Sequence, residues 1–394
     1  MTTDVRDAVD GVEAGTVARP TSVEEVAEVM CAAASDGLTV VPRGAGTKLT
    51  WAAPPRSVDV LLDLSAMDRV LDHAAGDLIV SAQAGTPMRE LQRVVAGGEQ
   101  RLTLDETVPG GTVGGVLATN ASGARRVSVG AARDLLIGIT FVRADGVVAK
   151  AGGRVVKNVA GYDIGKLMIG SFGTLGVVVD ATFRLHPLPA TSRWVSAPAT
   201  DPARALELAQ AAVHSQVVPA AVEVEWTDGR GAVSVLLEGR EDGVAGRAGR
   251  LRELLGADAS ESDEPAATYP WDVTATGDDR STALKLTFAL TGLRDVLAEA
   301  DAVGATVRGS AGSGVAYAAL RPTTPVADTV GAVERLRAAC LRHGGSTVVV
   351  DAPAAVKQAV DAWGPVAALE LMRRVKDQFD PDHRLAPGRF VGGI

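Results

Sequence analysis

The most informative part of the sequence is a glycine-rich loop that reads Pro109-Gly110-Gly111-Thr112-Val113-Gly114-Gly115. It carries four glycines in seven residues and is soon followed by Asn120, Ser122 and Gly123. Each ordered glycine costs about 0.5–1 kcal/mol relative to alanine, so a simple connection gains nothing from such a run. The run makes sense where the ring and phosphates of a ligand approach the backbone closely.

Two further loops carry the same signal. The first, Val41-Pro42-Arg43-Gly44-Ala45-Gly46-Thr47, follows a short β-branched strand, and the other spans 170–176. In the first loop the glycines leave backbone amides free to wrap a pyrophosphate, Thr47 adds a hydroxyl donor and Arg43 adds charge. Taken alone, this loop is equally consistent with a plain turn. Neither a G-x-G-x-x-G after the first strand nor a G-x-x-x-x-G-K-[ST] loop occurs, so a nicotinamide site of the usual kind is not supported.

Composition bounds the class of protein. A chain of 394 residues is expected to form two or three domains. The net charge of -9 and the absence of a dense Lys/Arg run argue against a nucleic-acid surface. No stretch reaches the ~18 consecutive apolar residues of a spanning helix. The acidic, polar start lacks signal-peptide features, so we expect a cytoplasmic protein that reaches a membrane only through partner subunits.

The two cysteines, Cys31 and Cys340, both lie in apolar patterns typical of helices and are expected to be buried free thiols. An iron–sulfur cluster needs about four thiolates, so this chain alone cannot ligate one.

Local patterns divide the chain. Thr21 and Ser22 with Glu24 and Glu25 predict a capped helix that ends at Asp36-Gly37. Strands are expected at 69–73, 78–83, 136–143, 147–150 and 177–185, and a helix at 87–95. From about 192 the pattern favours an antiparallel sheet with helices on one face, and the last segment is helical as far as Phe379.

Four motifs occur in order: 41–47, 108–115, Lys157-Asn158-Val159-Ala160-Gly161-Tyr162-Asp163, and 170–178. Together they resemble the FAD-binding domain of the vanillyl-alcohol oxidase / p-cresol methylhydroxylase (PCMH) superfamily, and within it the GlcE-type FAD subunits of bacterial glycolate oxidase. The resemblance covers the first ~190 and the final ~40 residues. It implies an α+β fold, with a two-subdomain PCMH-type FAD-binding domain over 1–190 and an antiparallel α+β cap domain over 191–353. A C-terminal helical segment, 354–394, would return to the FAD domain.

The resemblance also implies which residues hold the cofactor. The first two loops would grip the pyrophosphate and ribityl chain, Asn120, Ser122 and Gly123 would lie near the flavin ring, and the third loop would use backbone groups on the adenine side. The full expected set is Pro42, Arg43, Gly44, Ala45, Gly46, Thr47, Pro109, Gly110, Gly111, Thr112, Gly114, Gly115, Asn120, Ser122, Gly123, Gly176 and Val178. Because 42–51 and 105–125 contain neither His nor Cys, non-covalent FAD is implied.

Catalytic residues are less well indicated. Related catalytic subunits carry an H-x-G-D-G-N-x-H-like metal motif in the cap, whereas this chain has Gly309 to Tyr317 there, without His or Asp. The five histidines are scattered, so no metal is expected. Catalytic candidates are Tyr162, Lys157 and Arg125.

Each candidate has a structural alternative. Tyr162 could be an acid/base, stack on the flavin, or be a buried ring that packs beneath the cofactor. Lys157 could offset negative charge or lie on the surface. Arg125 and Arg126 could bind a substrate carboxylate, form a solvated face, or dock another subunit.

Two further residues are open to the same question. Asp134 is expected to pair with an arginine rather than act as a base. Trp51 could wall the pocket or fill a gap in the core.

Three functions remain open. The first is an FAD-dependent oxidoreductase subunit that works beside a catalytic FAD subunit and an iron–sulfur subunit to oxidise glycolate or another 2-hydroxy acid. The second is a stand-alone FAD-dependent 2-hydroxy acid or alcohol dehydrogenase. The third is a non-catalytic scaffold that keeps the fold without the cofactor, which the costly glycines argue against.

Overall fold

The computed structural model describes residues 7–154, 162–262 and 268–394. The chain divides into two compact units. Unit 1 comprises Met1–Ser122, Gly130–Leu188 and Pro365–Ile394, and unit 2 comprises Gly123–Val129 and Pro189–Gly364.

Strands and helices are numbered separately, each in chain order. The strands of unit 1 are β1 (Ala8–Val9), β2 (Val12–Glu13), β3 (Thr16–Ala18), β4 (Val40–Arg43), β5 (Val60–Asp63), β6 (Val70–Ala74), β7 (Ile79–Gln83), β8 (Gln100–Arg101), β9 (Leu136–Val142), β10 (Val148–Gly152), β11 (Val177–Arg184) and β12 (His186–Pro187). The strands of unit 2 are β13 (Thr191–Ala199), β14 (Ala221–Thr227), β15 (Arg230–Gly239), β16 (Ser260–Ser262), β17 (Thr282–Thr287), β18 (Thr306–Ser310), β19 (Val315–Leu320) and β20 (Ser346–Asp351). The helices are α1 (Val23–Asp36), α2 (Met88–Ala96), α3 (Val113–Thr119), α4 (Arg126–Val129), α5 (Ala132–Leu135), α6 (Ile164–Met168), α7 (Pro202–Val213), α8 (Glu241–Leu255), α9 (Leu293–Ala302), α10 (Val326–Arg342), α11 (Ala354–Ala359) and α12 (Leu369–Phe379).

Unit 1 contains two principal sheets. The first is parallel, in the order β3-β5-β4, and the second is antiparallel, in the order β10-β9-β11-β7-β6. Parallel strands need a crossover, and α1 supplies the one that leads into β4. The strands and the helix predicted for this part of the chain are present within one or two residues of the expected positions.

Helix α1 begins where the capping pattern predicted. The Ser22 hydroxyl accepts the Glu25 N–H at 3.2 Å, and the Glu25 carboxylate accepts the Thr21 N–H at 2.7 Å. The helix ends at Gly37, whose φ of 67° is left-handed. Both ends of α1 are therefore fixed by local sequence.

One expectation about α1 was wrong. Cys31 is exposed, whereas Cys340 is buried as predicted. The buried residues of α1 are Val26, Met30 and Ala33. Position 31 lies about 100° around the helix from Met30, which turns its thiol away from the apolar stripe.

Unit 2 is built on one antiparallel sheet of eight strands, in the order β16-β13-β15-β14-β18-β19-β17-β20. Alternate residues of its strands, such as Val222, Val224 and Trp226 on β14, form one core with α7, α8, α9 and α10. The predicted fold class, α+β with an antiparallel sheet covered by helices on one face, is confirmed.

The limits of the units differ from the sequence boundaries in two places. Gly123–Val129 belongs to unit 2, and the chain returns to unit 1 at Pro365 rather than near 354. Helix α11 stays in unit 2 because Val356 and Ala362 join its core and the Val349 N–H donates to the Ala362 carbonyl at 2.7 Å. Among the described residues, no helix is long and apolar enough to cross a bilayer.

Candidate functional site

A cleft in unit 1 is lined by the glycine loops predicted from sequence. It holds about 780 Å³ of empty space, including its open mouth. Its lining includes Pro42, Arg43, Gly44, Ala45, Gly46, Thr47, Lys48, Leu49, Leu64, Ala84, Thr112, Gly114, Gly115, Ala118, Thr119, Ser171, Phe172, Gly173, Gly176, Val178 and Arg389.

The three loops touch at glycines that have no room for a side chain. A Cβ on Gly44 would overlap Thr112 Oγ1, and one on Gly114 would lie 2.9 Å from Ala84 Cβ. Gly173 has a left-handed φ of 77°, and a Cβ there would lie 2.8 Å from the Pro42 ring. The sequence therefore needs glycine here because the loops themselves meet, and the cleft lies along their junction.

Arg43 is held by the protein itself. It forms an ion pair with Asp63 at 2.9 Å, with side-chain exposures of 10% and 8%. Burial raises the pKa of Asp63, but hydrogen bonds from Ser65 and Arg43 more than offset this effect, so its pKa is lowered. The guanidinium thus anchors the loop to the end of β5.

Lys48 is the main residue of the cleft that sequence reasoning missed. It is only 8% exposed, and its Nζ lies 3.3 Å from Thr47 Oγ1. Burial lowers its pKa from 10.5 to about 8, while the nearby Glu106 acts in the opposite direction. The sequence feature that could have pointed to Lys48 is that this charged residue directly follows the Gly44–Thr47 loop. A buried ammonium beside these loops can meet a phosphate.

Arg389 reaches the cleft from the far end of the chain. Its Nη2 donates to the carbonyls of Leu49 at 2.8 Å and Trp51 at 2.6 Å. The residue is 4% exposed. The 387–390 motif therefore braces the segment that follows the first glycine loop.

Other residues of the expected set are not among those that line the cleft. Gly110, at φ 78°, donates its N–H to Glu106 Oε1 at 2.8 Å. Asn120 ends α3 at φ 49°, and both Asn120 Oδ1 and Ser122 Oγ are buried without a hydrogen-bond partner. Pro109, Gly111 and Gly123 are likewise outside the lining, and Gly123 belongs to unit 2.

Residues 14–152 match a family model described as "FAD binding domain". This segment is therefore similar to FAD-binding domains. The match covers the first two glycine loops, Lys48 and Asn120. The expected FAD-binding class of this part of the chain is thereby confirmed.

Curated relatives match part of the chain. The chain is 35% identical over 184 residues to an uncharacterized FAD-linked oxidoreductase of Mycobacterium tuberculosis, covering 47% of this chain and 40% of the relative. It is 38% identical over 179 residues to a D-2-hydroxyglutarate dehydrogenase of Xanthomonas citri pv. viticola, covering 45% and 38%. It is 31% identical over 162 residues to glycolate oxidase subunit GlcE of Escherichia coli, covering 41% and 46%. The chain thus spans less than half the length of each of these relatives.

Solved structures extend the likeness in fold beyond the FAD-binding domain. An alkyldihydroxyacetonephosphate synthase superposes with a TM-score of 0.68 at 16% identity, covering 95% of this chain and 77% of the other. A chitooligosaccharide oxidase gives 0.68 at 16% identity, covering 96% and 92%. At this identity the likeness concerns the fold alone.

The three catalytic candidates differ in what the structure shows of each. Tyr162 is 95% exposed, so its interpretation as a buried ring was wrong. Lys157 lies outside the described residues, as does Gly161 of the same motif. Arg125, in unit 2, pairs with Glu238 at 2.8 Å.

The remaining candidates have structural contacts. Asp134 Oδ2 accepts the Ala131 N–H at 2.8 Å and so caps α5. Trp51 is 7% exposed, with Lys48 Nζ 5.9 Å from its ring centroid. In the part of the chain that the structure describes, no three His, Cys, Asp or Glu side chains are grouped as metal ligands.

Proposed function

We propose that this chain holds one FAD non-covalently in the cleft of unit 1 and acts as the FAD-binding oxidoreductase subunit of a complex that oxidises glycolate or a similar 2-hydroxy acid. The observation that carries this proposal is the convergence of three glycine loops on one cleft, two of them within the residues that match a FAD-binding domain.

The residues present fit a dinucleotide. The glycines of the 43–47 loop, with Thr112, Gly114 and Gly115, would present backbone amides to the pyrophosphate and ribityl chain. Lys48 would supply the positive charge. The unpartnered Asn120 Oδ1 and Ser122 Oγ would meet polar atoms of the flavin ring, because buried polar groups are otherwise costly.

The third loop completes the binding assignment. Gly176 and Val178 would use backbone groups on the adenine side. The residues named in the cleft lining include neither His nor Cys, which supports non-covalent attachment. When bound, FAD supplies a ring that accepts hydride from a substrate carbon.

The substrate class and the complex rest on the relatives. Named relatives include a D-2-hydroxyglutarate dehydrogenase and the glycolate oxidase subunits GlcD and GlcE. We propose a small 2-hydroxy acid substrate, a catalytic FAD subunit and an iron–sulfur subunit as partners, and a cap role for unit 2. Because this chain has only two cysteines and a cluster needs about four thiolates, the proposal assigns the iron–sulfur cluster to a partner subunit.

The first test is the anaerobic visible spectrum of the purified chain, before and after addition of glycolate or D-lactate. A yellow protein whose flavin stays oxidised until partner subunits are added supports the proposal. Bleaching in the isolated chain would instead support the stand-alone dehydrogenase. A colourless protein that takes up no added FAD would contradict both.

A further inference from the structure

The face of the unit 2 sheet opposite helices α7, α8, α9 and α10 carries two rows of mostly polar side chains. Residues directly opposite each other on antiparallel strands share a face of the sheet. The register therefore places two neighbouring rows on this face, each running across β14, β18, β19 and β17. The first row is Glu225, Arg308, Tyr317 and Lys285. The second row is Glu223, Ser310, Val315 and Thr287. The core with the helices uses the alternate positions.

The centre of this face is buried although it is polar. Tyr317 is 5% exposed, Ser310 3% and Glu223 5%. The Ser310 hydroxyl has no hydrogen-bond partner. Leaving a buried hydroxyl unpaired costs about 1–3 kcal/mol, so a site that keeps one open is suited to a ligand that completes it.

The segment Gly123–Val129 brings a cation to the same face. Ser128 donates to the Ala220 carbonyl at 2.9 Å, and Val127 packs against Gly312. Arg125 is held by Glu238 at 2.8 Å. These contacts fix the short helix α4, and Arg126 Nη1 is buried there without a hydrogen-bond partner.

Arg126 lies near enough to the rows for its charge to act on two of their residues. Burial, and then the charge of Arg126, lower the pKa of Lys285 to about 8. Burial raises the pKa of Tyr317, and the charge of Arg126 opposes that rise. With both cations protonated, Arg126 and Lys285 exceed the one carboxylate at the centre, Glu223, while Arg308 is paired with Glu225. Among these described groups, one positive charge is therefore in excess.

Tyr269 and Trp271 pack against Tyr317 on this face of the sheet. Tyr269 packs edge-on against Tyr317 at 4.7 Å and stacks on Trp271 at 4.6 Å between centroids. Tyr269 also hydrogen-bonds Tyr317. Two further aromatic rings therefore lie beside Tyr317 on this face.

We propose that Arg126, Lys285, Tyr317 and Ser310 form a binding site for the carboxylate of a small organic acid on this face of unit 2. Guanidinium and ammonium groups bind carboxylates by charge-assisted hydrogen bonds, and a single net positive charge matches a monocarboxylate better than a phosphate. The identification of this ligand with the 2-hydroxy acid substrate rests on the proposed function. Carboxylate binding itself does not depend on FAD.

The test is calorimetric titration of the FAD-supplemented full chain with pyruvate, a 2-oxo acid that cannot be oxidised at its keto carbon by hydride loss. The wild-type chain should bind pyruvate, and Lys285→Met should weaken binding at least about tenfold, the effect of losing one charge-assisted contact. Tyr317→Phe, which removes only a hydroxyl, should cause a smaller loss. Arg250→Met, at an exposed position of α8, is the matched control and should bind like wild type.

The outcomes separate the two proposals. Failure of wild type to bind pyruvate, or unchanged binding by a Lys285→Met protein that keeps its wild-type melting temperature, would overturn the carboxylate site. Binding of inorganic phosphate in preference to pyruvate would also overturn it. If the protein takes up no FAD yet binds pyruvate through Lys285, the proposed function fails while the carboxylate site stands.

Discussion

At the residue scale, Lys48 gives the cleft of unit 1 its chemical character. Its pKa falls from 10.5 to about 8 because the ammonium is buried. At about 1.36 kcal/mol per unit, a charged Lys48 costs the folded protein on the order of 3 kcal/mol. This cost is fully present below the folded-state pKa and is relieved as pH rises above it, since the unfolded chain keeps the higher value. A phosphate bound beside Lys48 would offset the cost by pairing with the charge.

We therefore expect FAD affinity to depend on pH through Lys48. Phosphate binding favours the ammonium, so the pKa of Lys48 must be higher in the complex than its value of about 8 in the free protein. Affinity should be greatest below that value and should fall as pH rises through it. Lys48→Met should weaken FAD binding about tenfold at low pH and flatten the profile.

The measurement is flavin fluorescence titration across this pH range. Lys166→Met is the control, because Lys166 pairs with Asp163 on the surface at a side-chain exposure of 46%. A wild-type profile that is flat, or a Lys48→Met profile that retains the fall, would contradict this role.

At the scale of elements, the glycine loops act as one unit. The first loop meets the second at Gly44 and Thr112, and the third meets the first at Gly173 and Pro42. The second loop enters α3 through the Thr112 hydroxyl, which accepts the Gly115 N–H at 3.3 Å. The cleft therefore depends on the fit of three loops that are distant in sequence.

Gly44→Val should abolish FAD retention. Any Cβ at position 44 would overlap Thr112 Oγ1, and a β-branched side chain would also block the path expected for the phosphates. Purification followed by the ratio of flavin to protein absorbance measures the effect.

The matched control is Gly76→Val, since a Cβ at Gly76 meets no atom within 4 Å. That variant should keep its flavin. A folded Gly44→Val protein with full FAD content would show that the pyrophosphate lies elsewhere.

At the scale of the whole molecule, the chain leaves unit 1 and returns to it with α12. Lys376 and Asp380 pair at 2.7 Å with side chains that are 0% exposed. Lys376 Nζ also donates to the carbonyls of Thr174 at 2.7 Å and Leu385 at 3.0 Å. Burial lowers the pKa of Lys376, and Asp380 opposes this shift. These contacts join the C-terminal segment to the third glycine loop.

Lys376→Met should lower the free energy of unfolding by about 3–5 kcal/mol, because it leaves the Asp380 charge buried without its partner. Denaturant unfolding followed by circular dichroism measures this loss. Arg373→Met on the same helix removes only an exposed contact with Glu370 at 4.0 Å, and should change stability by less than about 0.5 kcal/mol. Equal stabilities of the two variants would show that the buried pair does not anchor the segment.

Much of the cleft could be predicted because its signals are local. Gly44, Thr47, Thr112 and Gly176 were named from loops whose glycine content is itself unusual, and all of them line the cleft. Lys48 was missed because a lysine beside a loop is ordinary in sequence, and only burial lowers its pKa. The exposure of Tyr162 was missed because a motif does not show which way a side chain faces.

By itself, the sequence determined the elements and the glycine loops, since caps, periodicity and positive-φ positions depend on neighbouring residues. Only the tertiary structure decided that Gly123–Val129 joins unit 2, that Arg389 braces the first loop, and that Arg126 lies near Lys285. Each of these contacts joins residues that lie far apart along the chain. Such contacts depend on how all the elements pack, which no local pattern specifies.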